Sequence, residues 1–214
     1  MDETLDINGW DIKKVLQLLH KSNPTVFEWC ASPIVYMERE EFGWLKELLP
    51  QYDYYGVKRG GDSNEEQSEM NGIFYLKDKY NLIDSGHFWL SETPDEPSTG
   101  WDAACPRICS YAILENKETG FVYAHFNVHF DHVGDVAQAE SVSLITAKIA
   151  EIAPAIPVVL TGDFNVPEGS DNYNALVNAG LKDTKYLAEK YDNHATGVPA
   201  SLKEVIITGG TKIA

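Results

Sequence analysis

The chain alternates apolar and polar residues with two different periods, and each period predicts one kind of element. A repeat close to 3.6 residues predicts amphipathic helices over residues 10–21, 39–49, 134–153 and 171–179. Short apolar runs separated by turn residues predict strands over residues 52–57, 72–77, 80–90, 107–114, 121–129, 157–165 and 204–208. This order of elements predicts a mixed helix-and-strand domain around a single core.

Two polar stretches interrupt this pattern and predict surface loops. They are residues 59–70, RGGDSNEEQSEM, and residues 91–106, SETPDEPSTGWDAACP. A loop as long as the second one in a compact domain frequently carries function.

Size and charge narrow the classes of function. With 214 residues, 43% of them hydrophobic, the chain can bury one substantial core. A formal net charge of −16 does not attract a polyanion over a broad face, which disfavours an extended nucleic-acid surface and favours a small substrate. The acidic start, MDETLDINGWD, is not a secretory signal, and no apolar run is long enough to span a bilayer. We therefore expect a cytoplasmic chain.

The strand predicted over residues 121–129 ends in a group of hard polar residues. In FVYAHFNVHFDH, Asn127 and His129 share one face of the strand, and the apolar residues between them face the core. Asp131 and His132 follow where the chain turns toward the next helix. This density of proton-carrying groups favours a functional site over a merely exposed strand end. His125 has the simpler interpretation of a partly buried strand histidine.

A second strand, PVVLTGDFNV over residues 157–166, ends in the same manner. Gly162 allows a tight backbone turn, after which Asp163 and Asn165 project from the end of the strand. An aspartate there can orient and deprotonate water, and an asparagine can donate to a phosphoryl oxygen without adding charge. The alternative is that both residues are turn formers. The two motifs lie 34 residues apart (163 − 129), with one helix of crossover length between them.

Together the motifs NVHFDH and TGDFN resemble the endonuclease/exonuclease/phosphatase superfamily of metal-dependent phosphoesterases, which has a deoxyribonuclease-I-like fold. The upstream stretch DSGHFWLSETPDEPSTGWDAACPRICSYA is similar to a bacterial subgroup, and the likeness covers about residues 39–195. It implies an α+β fold, a two-sheet β-sandwich flanked by helices in four layers, here lacking terminal strands.

The resemblance also implies roles for individual residues. His129 would contact and polarise the phosphoryl group, Asp163 would position or activate the attacking water, and Asn165 would stabilise the pentavalent transition state. Asp163 and Asn165 would hold a Mg²⁺ or Mn²⁺ ion. The implied substrate-binding residues are Asn127, Arg107, Asp131 and His132.

Two further features of the substrate side follow from this likeness. Arg107 has two equally good interpretations, a phosphate clamp and a structural ion pair. Trp101 and Asp102 would shape the substrate loop, with Trp101 and Trp89 serving as packing residues.

Two parts of the family pattern have no counterpart in this sequence. The family's principal Mg²⁺ ligand is the glutamate of a Gln-Glu pair, whereas here Glu28 is the carboxylate nearest that place and is out of register. The family's closing Ser-Asp-His triplet does not occur, and His194 lies before its place. Residues 5–36 instead resemble a helical stretch of a polymerase-beta-type nucleotidyltransferase family, without its catalytic part. We expect a helical segment over 1–38, the phosphoesterase-like core over 39–195 and a tail over 196–214.

We therefore expect a phosphoesterase or phosphodiesterase, dependent on Mg²⁺ or Mn²⁺, that hydrolyses a phosphate ester by in-line attack of water. The alternative is a catalytically impaired or truncated member that keeps the scaffold as a binding domain. The expected partner is a small phosphorylated substrate or a phosphodiester. Sheet edges left open by missing strands also predict self-association.

Overall fold

The computed structural model describes residues 6–7, 10–11, 26–30, 49–61, 69–183 and 207–209, and describes side chains over 49–61 and 69–183. Its strands are β1 (Asp6–Ile7), β2 (Trp10–Asp11), β3 (Val26–Cys30), β4 (Tyr52–Lys58), β5 (Met70–Leu76), β6 (Tyr80–Trp89), β7 (Ile108–Asn116), β8 (Val122–His129), β9 (Val158–Asp163), β10 (Leu181–Asp183) and β11 (Ile207–Gly209). Its helices are α1 (Asp135–Ile152) and α2 (Asp171–Asn178).

The strands form two larger sheets and a short two-stranded ribbon of β1 and β2. One sheet has six strands in the order β10-β11-β9-β8-β7-β6, and the other has three in the order β3-β5-β4. Strands β8 and β9 are parallel and α1 connects them, whereas the other pairings are antiparallel. A parallel pair requires such a crossover, because its second strand must begin at the same end as the first.

One face of the six-stranded sheet packs against α1. Phe126 and Leu160, from β8 and β9, lie in one buried cluster with Val142 and Ile145 of α1. Val142 and Ile145 therefore lie on the inward face of the helix. Ile149 packs against the same cluster from a partly buried position.

The other face of the six-stranded sheet meets the three-stranded sheet through apolar and polar contacts. Ile73 and Tyr75 of β5 pack against Ala112 and Leu114 of β7. Polar bonds also cross between the sheets, because Asn71 Nδ2 donates to the carbonyl oxygen of Ile108 (2.8 Å) and Ser110 Oγ donates to that of Asn71 (2.9 Å). The structure is therefore the two-sheet sandwich flanked by helices that the sequence predicts.

The predicted elements between residues 52 and 179 are confirmed, whereas those near the chain ends are mostly outside the described residues. The helix predicted over 10–21 is wrong at Trp10–Asp11, which form β2, and the rest of it lies outside. The helix over 39–49 lies outside as far as residue 48. The strand predicted over 204–208 corresponds to Ile207–Gly209.

The predicted boundaries at residues 38 and 195 and the predicted lack of terminal strands stay predictions. Strands β3 and β11 lie outside those boundaries and pair with β5 and β9 respectively. Among the described residues, no helix combines the length and apolar character needed to cross a membrane.

Candidate active site

The candidate site lies where the parallel strands β8 and β9 end side by side. Their register pairs His129 with Asp163, so both side chains project at the same edge and on the same face of the sheet. Gly162 precedes Asp163 with a φ of 138°, and a Cβ atom there would lie 1.8 Å from the carbonyl oxygen of Val128. The close approach of the two strands at the site therefore requires glycine.

His129 lies between two carboxylates. Its Nδ1 is 2.7 Å from Oε1 of Glu69, and its Nε2 is 3.7 Å from Oδ2 of Asp163. The first contact is a hydrogen bond, whereas the second is too long for one. The side chains of His129 and Asp163 are 17% and 24% exposed, so both are partly accessible to solvent.

Glu69 completes this arrangement from the start of β5. Its side chain is 2% exposed and forms an ion pair with Arg59 in addition to its bond with His129. Burial raises the pKa of Glu69, but the hydrogen bond from His129 and the charges of His129, Arg59 and Arg107 outweigh it and lower the pKa overall. The carboxylate is thus ionised, and it fixes the orientation of the His129 ring.

Sequence reasoning missed Glu69 and Arg59, because both lie in the stretch 59–70 that was predicted to be a polar loop. The available signal was the position of Glu69 immediately before the apolar strand MNGIFYL. Arg59 is held in place by its own carbonyl oxygen, which accepts a hydrogen bond from Nε1 of the buried Trp89 (2.6 Å). Trp89 is thus a packing residue, as predicted.

Asn165 adopts a left-handed backbone conformation, with a φ of 48°. Its backbone N–H donates to Oδ1 of Asp163 (3.0 Å), and its Nδ2 donates to the carbonyl oxygen of Phe130 (3.0 Å). Asparagine tolerates this conformation better than most residues do. The turn after β9 therefore keeps Asp163 and Asn165 next to the end of β8.

Asn127 lies on the same face of β8 as His129 but is completely buried. Its Nδ2 donates to the carbonyl oxygen of Gly72 (3.0 Å) in the facing sheet. The structure therefore places Asn127 between the two sheets, where it connects β8 to β5.

Asp131, Arg107 and His132 form a second polar group just beyond β8. Arg107 Nε lies 3.3 Å from Oδ2 of Asp131, and Arg107 Nη2 lies 2.9 Å from Nδ1 of His132. Asp131 also accepts bonds from the backbone N–H groups of Val133, Gly134 and Ala104. Burial raises the pKa of Asp131, but these N–H bonds and Arg107 lower it overall. The carboxylate of Asp131 and the guanidinium of Arg107 are buried, whereas His132 is exposed.

The loop over residues 91–106 is attached to the start of α1. Asp102 accepts hydrogen bonds from the backbone N–H groups of Val136 (3.3 Å) and Ala137 (2.7 Å), at a helix whose own N-cap residue, Gly134, has no side chain to cap it. Both oxygens of Glu92 accept from the backbone N–H of Trp101, whose φ is 49°. The loop is therefore positioned against the turn that carries His132.

His125 is a buried residue of the sheet and lies away from this edge. Its Nε2 is 2.8 Å from Oγ1 of Thr161, and burial lowers its pKa to about 4. The histidine is neutral, in keeping with the structural interpretation of its place in the strand.

The described part of the chain offers a metal ion a partial set of ligands. Within it, no three side chains of histidine, cysteine, aspartate or glutamate converge to hold a metal. Oδ2 of Asp163 and Oδ1 of Asn165 have no hydrogen-bond partner there, so two oxygens are available. Mg²⁺ is often bound by one or two carboxylates together with waters and substrate oxygens, and one carboxylate oxygen with one amide oxygen has the chemistry that such an ion prefers.

The N-terminal part of the chain and the chain as a whole are similar to different proteins. Residues 1–53 match the RNA repair pathway DNA polymerase beta family (RlaP). The mimivirus protein L388, from Acanthamoeba polyphaga mimivirus, is 28% identical over 170 residues, which cover 74% of this chain. The chain spans 60% of the length of L388 and 14% of the length of another relative, YcgL of Bacillus subtilis.

Two solved structures match nearly the whole chain. An endonuclease/exonuclease/phosphatase family protein from Bacteroides thetaiotaomicron is 35% identical, with a TM-score of 0.79, over 92% of this chain and 73% of its own. A mannosyl-6-phosphatase from the same species is 34% identical, with a TM-score of 0.78, over 92% of this chain and 75% of its own.

Proposed function

This chain belongs to the endonuclease/exonuclease/phosphatase family, and from that premise we propose that it hydrolyses a small phosphate ester by direct attack of water. The observation that carries the proposal is the pairing of His129 and Asp163 across the ends of two parallel strands, with 3.7 Å between Nε2 and Oδ2. Both side chains are partly exposed to solvent.

His129 would polarise the phosphoryl group. Its Nδ1 faces the ionised carboxylate of Glu69, so Nδ1 carries a proton and Nε2 is directed toward the open side of the site. Glu69 is itself neutralised by Arg59, which keeps the buried carboxylate in place. The result is a histidine whose orientation is fixed before substrate binds.

Asp163 would position the attacking water. Its Oδ1 is occupied by the backbone N–H of Asn165, which leaves Oδ2 directed toward His129. The side-chain oxygen of Asn165 and Oδ2 of Asp163 would hold a divalent cation. A bound Mg²⁺ or Mn²⁺ supplies Lewis-acid polarisation of the phosphoryl oxygen.

We propose a phosphorylated sugar as the substrate class. The support is the similarity to a mannosyl-6-phosphatase at 34% identity and the net charge of −16, which disfavours long polyanions. The predicted substrate side comprises Asn127, Arg107, Asp131 and His132. Of these, His132 has the exposed side chain.

A catalytically impaired binding domain is the second candidate. It is favoured by one observation, that the described residues bring together no three acidic, histidine or cysteine side chains for a metal. On this alternative the scaffold and a weak affinity for phosphate persist without turnover.

Metal-dependent hydrolysis separates the two candidates. We expect release of phosphate from mannose 6-phosphate or 4-nitrophenyl phosphate in the presence of Mg²⁺ or Mn²⁺, and a loss of at least about 100-fold in kcat/KM in Asp163→Ala. The matched control is Asp78→Ala, because Asp78 lies in the exposed turn between β5 and β6, at the opposite end of the sheet. Purified protein without metal-stimulated turnover would establish the impaired alternative.

A further inference from the structure

The contact between Arg107 and His132 fixes which imidazole nitrogen carries the proton. Nη2 of Arg107 lies 2.9 Å from Nδ1 of His132. A guanidinium group can only donate hydrogen bonds and stays protonated, so Nδ1 must accept and therefore carries no proton. The single proton of the neutral ring is then on Nε2, the nitrogen of the exposed His132 that does not contact Arg107.

Arg107 and its partner Asp131 are buried, which keeps the contact between Arg107 and His132 in place. The side chain of Arg107 is 5% exposed and that of Asp131 is 1% exposed, and the two form an ion pair. Three backbone N–H groups hold the carboxylate of Asp131. Asp131 already neutralises Arg107, so the charge of the arginine does not require His132 as a partner. The contact instead holds an exposed imidazole in one orientation and one tautomer.

Hydrogen bonds connect the turn that carries this imidazole to the proposed hydrolytic centre. The backbone N–H of Phe130 donates to the carbonyl oxygen of Asp163 (2.9 Å), and the carbonyl oxygen of Phe130 accepts from Asn165 (3.0 Å). Nε2 of Gln138 bridges the carbonyl oxygens of Asp131 (2.8 Å) and Asn165 (3.2 Å). The turn that carries His132 is thereby attached to the turn that carries Asp163.

We propose that His132 donates its Nε2–H to a non-reacting oxygen of the substrate's phosphate group, and that Arg107 acts as a positioning residue without touching the substrate. This rests on the proposed phosphoesterase function. A monoester phosphate presents more non-bridging oxygens and more negative charge than a diester, so an additional fixed donor strengthens monoester binding more. His132 thus selects a terminal phosphomonoester.

Two variants of His132 test whether its hydrogen bonds matter or only the bulk of its side chain. In His132→Gln the amide can still accept from Arg107 and donate to phosphate, whereas His132→Leu can do neither. We expect His132→Leu to lose about 10- to 100-fold in kcat/KM for 4-nitrophenyl phosphate and clearly less for bis(4-nitrophenyl) phosphate, and His132→Gln to stay within about threefold. Val133→Ala, at the exposed neighbouring position, is the control. Equal losses in the Gln and Leu variants, or for the two substrates, would overturn the proposal.

A binding measurement tests the same inference without turnover. Nitrogen-15 spectra of the imidazole rings should show His132 protonated at Nε2 alone, and titration with inorganic phosphate should shift that signal. His125 is the internal reference, because it is buried and bonded to Thr161. If the protein proves inactive, a phosphate-dependent shift at His132 still supports its role as a phosphate donor. An unchanged His132 signal at saturating phosphate, or a proton on Nδ1, contradicts it.

Discussion

Removing the carboxylate of Glu69 should destabilise the fold far more than breaking an exposed ion pair. Glu69 and Arg59 have side chains 2% and 9% exposed, so Glu69→Ala leaves a buried guanidinium without its counter-charge. Nε of Arg59 already has no hydrogen-bond partner among the described residues. Breaking one side of a buried pair costs about 3–5 kcal/mol. With a urea m-value of about 2 kcal/mol/M, the unfolding midpoint should fall by about 2 M.

Tryptophan fluorescence in urea is the assay, since the chain contains five tryptophans and Trp89 contacts Arg59 directly. Lys148→Ala breaks an exposed pair with Glu151 and should cost no more than about 0.5 kcal/mol. The double variant Glu69→Leu/Arg59→Met removes both charges and should recover much of the loss. A loss below about 1 kcal/mol in Glu69→Ala, or no recovery in the double variant, would refute the buried-pair account.

The same carboxylate predicts the direction of a pH effect. The pKa of Glu69 is lower in the folded than in the unfolded chain, so the unfolded state binds more protons as the solution is acidified. The stabilisation is therefore fully present above the unfolded pKa of glutamate and is lost as the pH falls through the lower, folded value. The difference in unfolding free energy between the wild type and Glu69→Gln should narrow over that acidic range. A difference that stays constant would contradict this assignment.

Three further predictions concern residues that support the site. Asp102→Ala removes the acceptor for two N–H groups at the start of α1 and should lower the unfolding free energy in urea by about 1–2 kcal/mol. Asp102→Asn should lower it less, and equal losses in the two variants would argue against capping. Buried His125 has a pKa of about 4, whereas a histidine in the unfolded chain titrates near 6.5. Between pH 7 and pH 4 the unfolding free energy of the wild type should therefore fall by about 3 kcal/mol more than that of His125→Asn. Parallel curves of unfolding free energy against pH would contradict this prediction. Gly162→Ala should prevent folding, as judged by circular dichroism, because its Cβ would lie 1.8 Å from a backbone oxygen. Gly120→Ala, at a φ of 69° and with nothing within 4 Å of its Cβ, should fold with a loss of about 1 kcal/mol. A folded Gly162→Ala would show that the two strands can separate.

The strand ends could be predicted because their chemistry and their position are local in sequence. Each motif combines an apolar run with the polar residues that follow it, and one connecting helix places β8 and β9 in parallel. Parallel neighbours end at the same edge, so the proximity of His129 and Asp163 follows from the pattern alone. The pairing of His129 with Glu69 could not be predicted in this way, because 60 residues separate them and no periodic pattern relates the two sheets.

The second sheet also explains why Asn127 and His129, on one face of one strand, have different surroundings. Alternation along β8 shows which side chains share a face, but it does not show what covers that face. Strand β5 covers it as far as Gly72, whose carbonyl oxygen binds the buried Asn127, and β5 begins at Met70. Two residues further along β8, the residue that meets His129 is Glu69, the one just before β5. The site therefore opens where the covering strand starts, and the polar residue before that strand becomes the partner of the histidine.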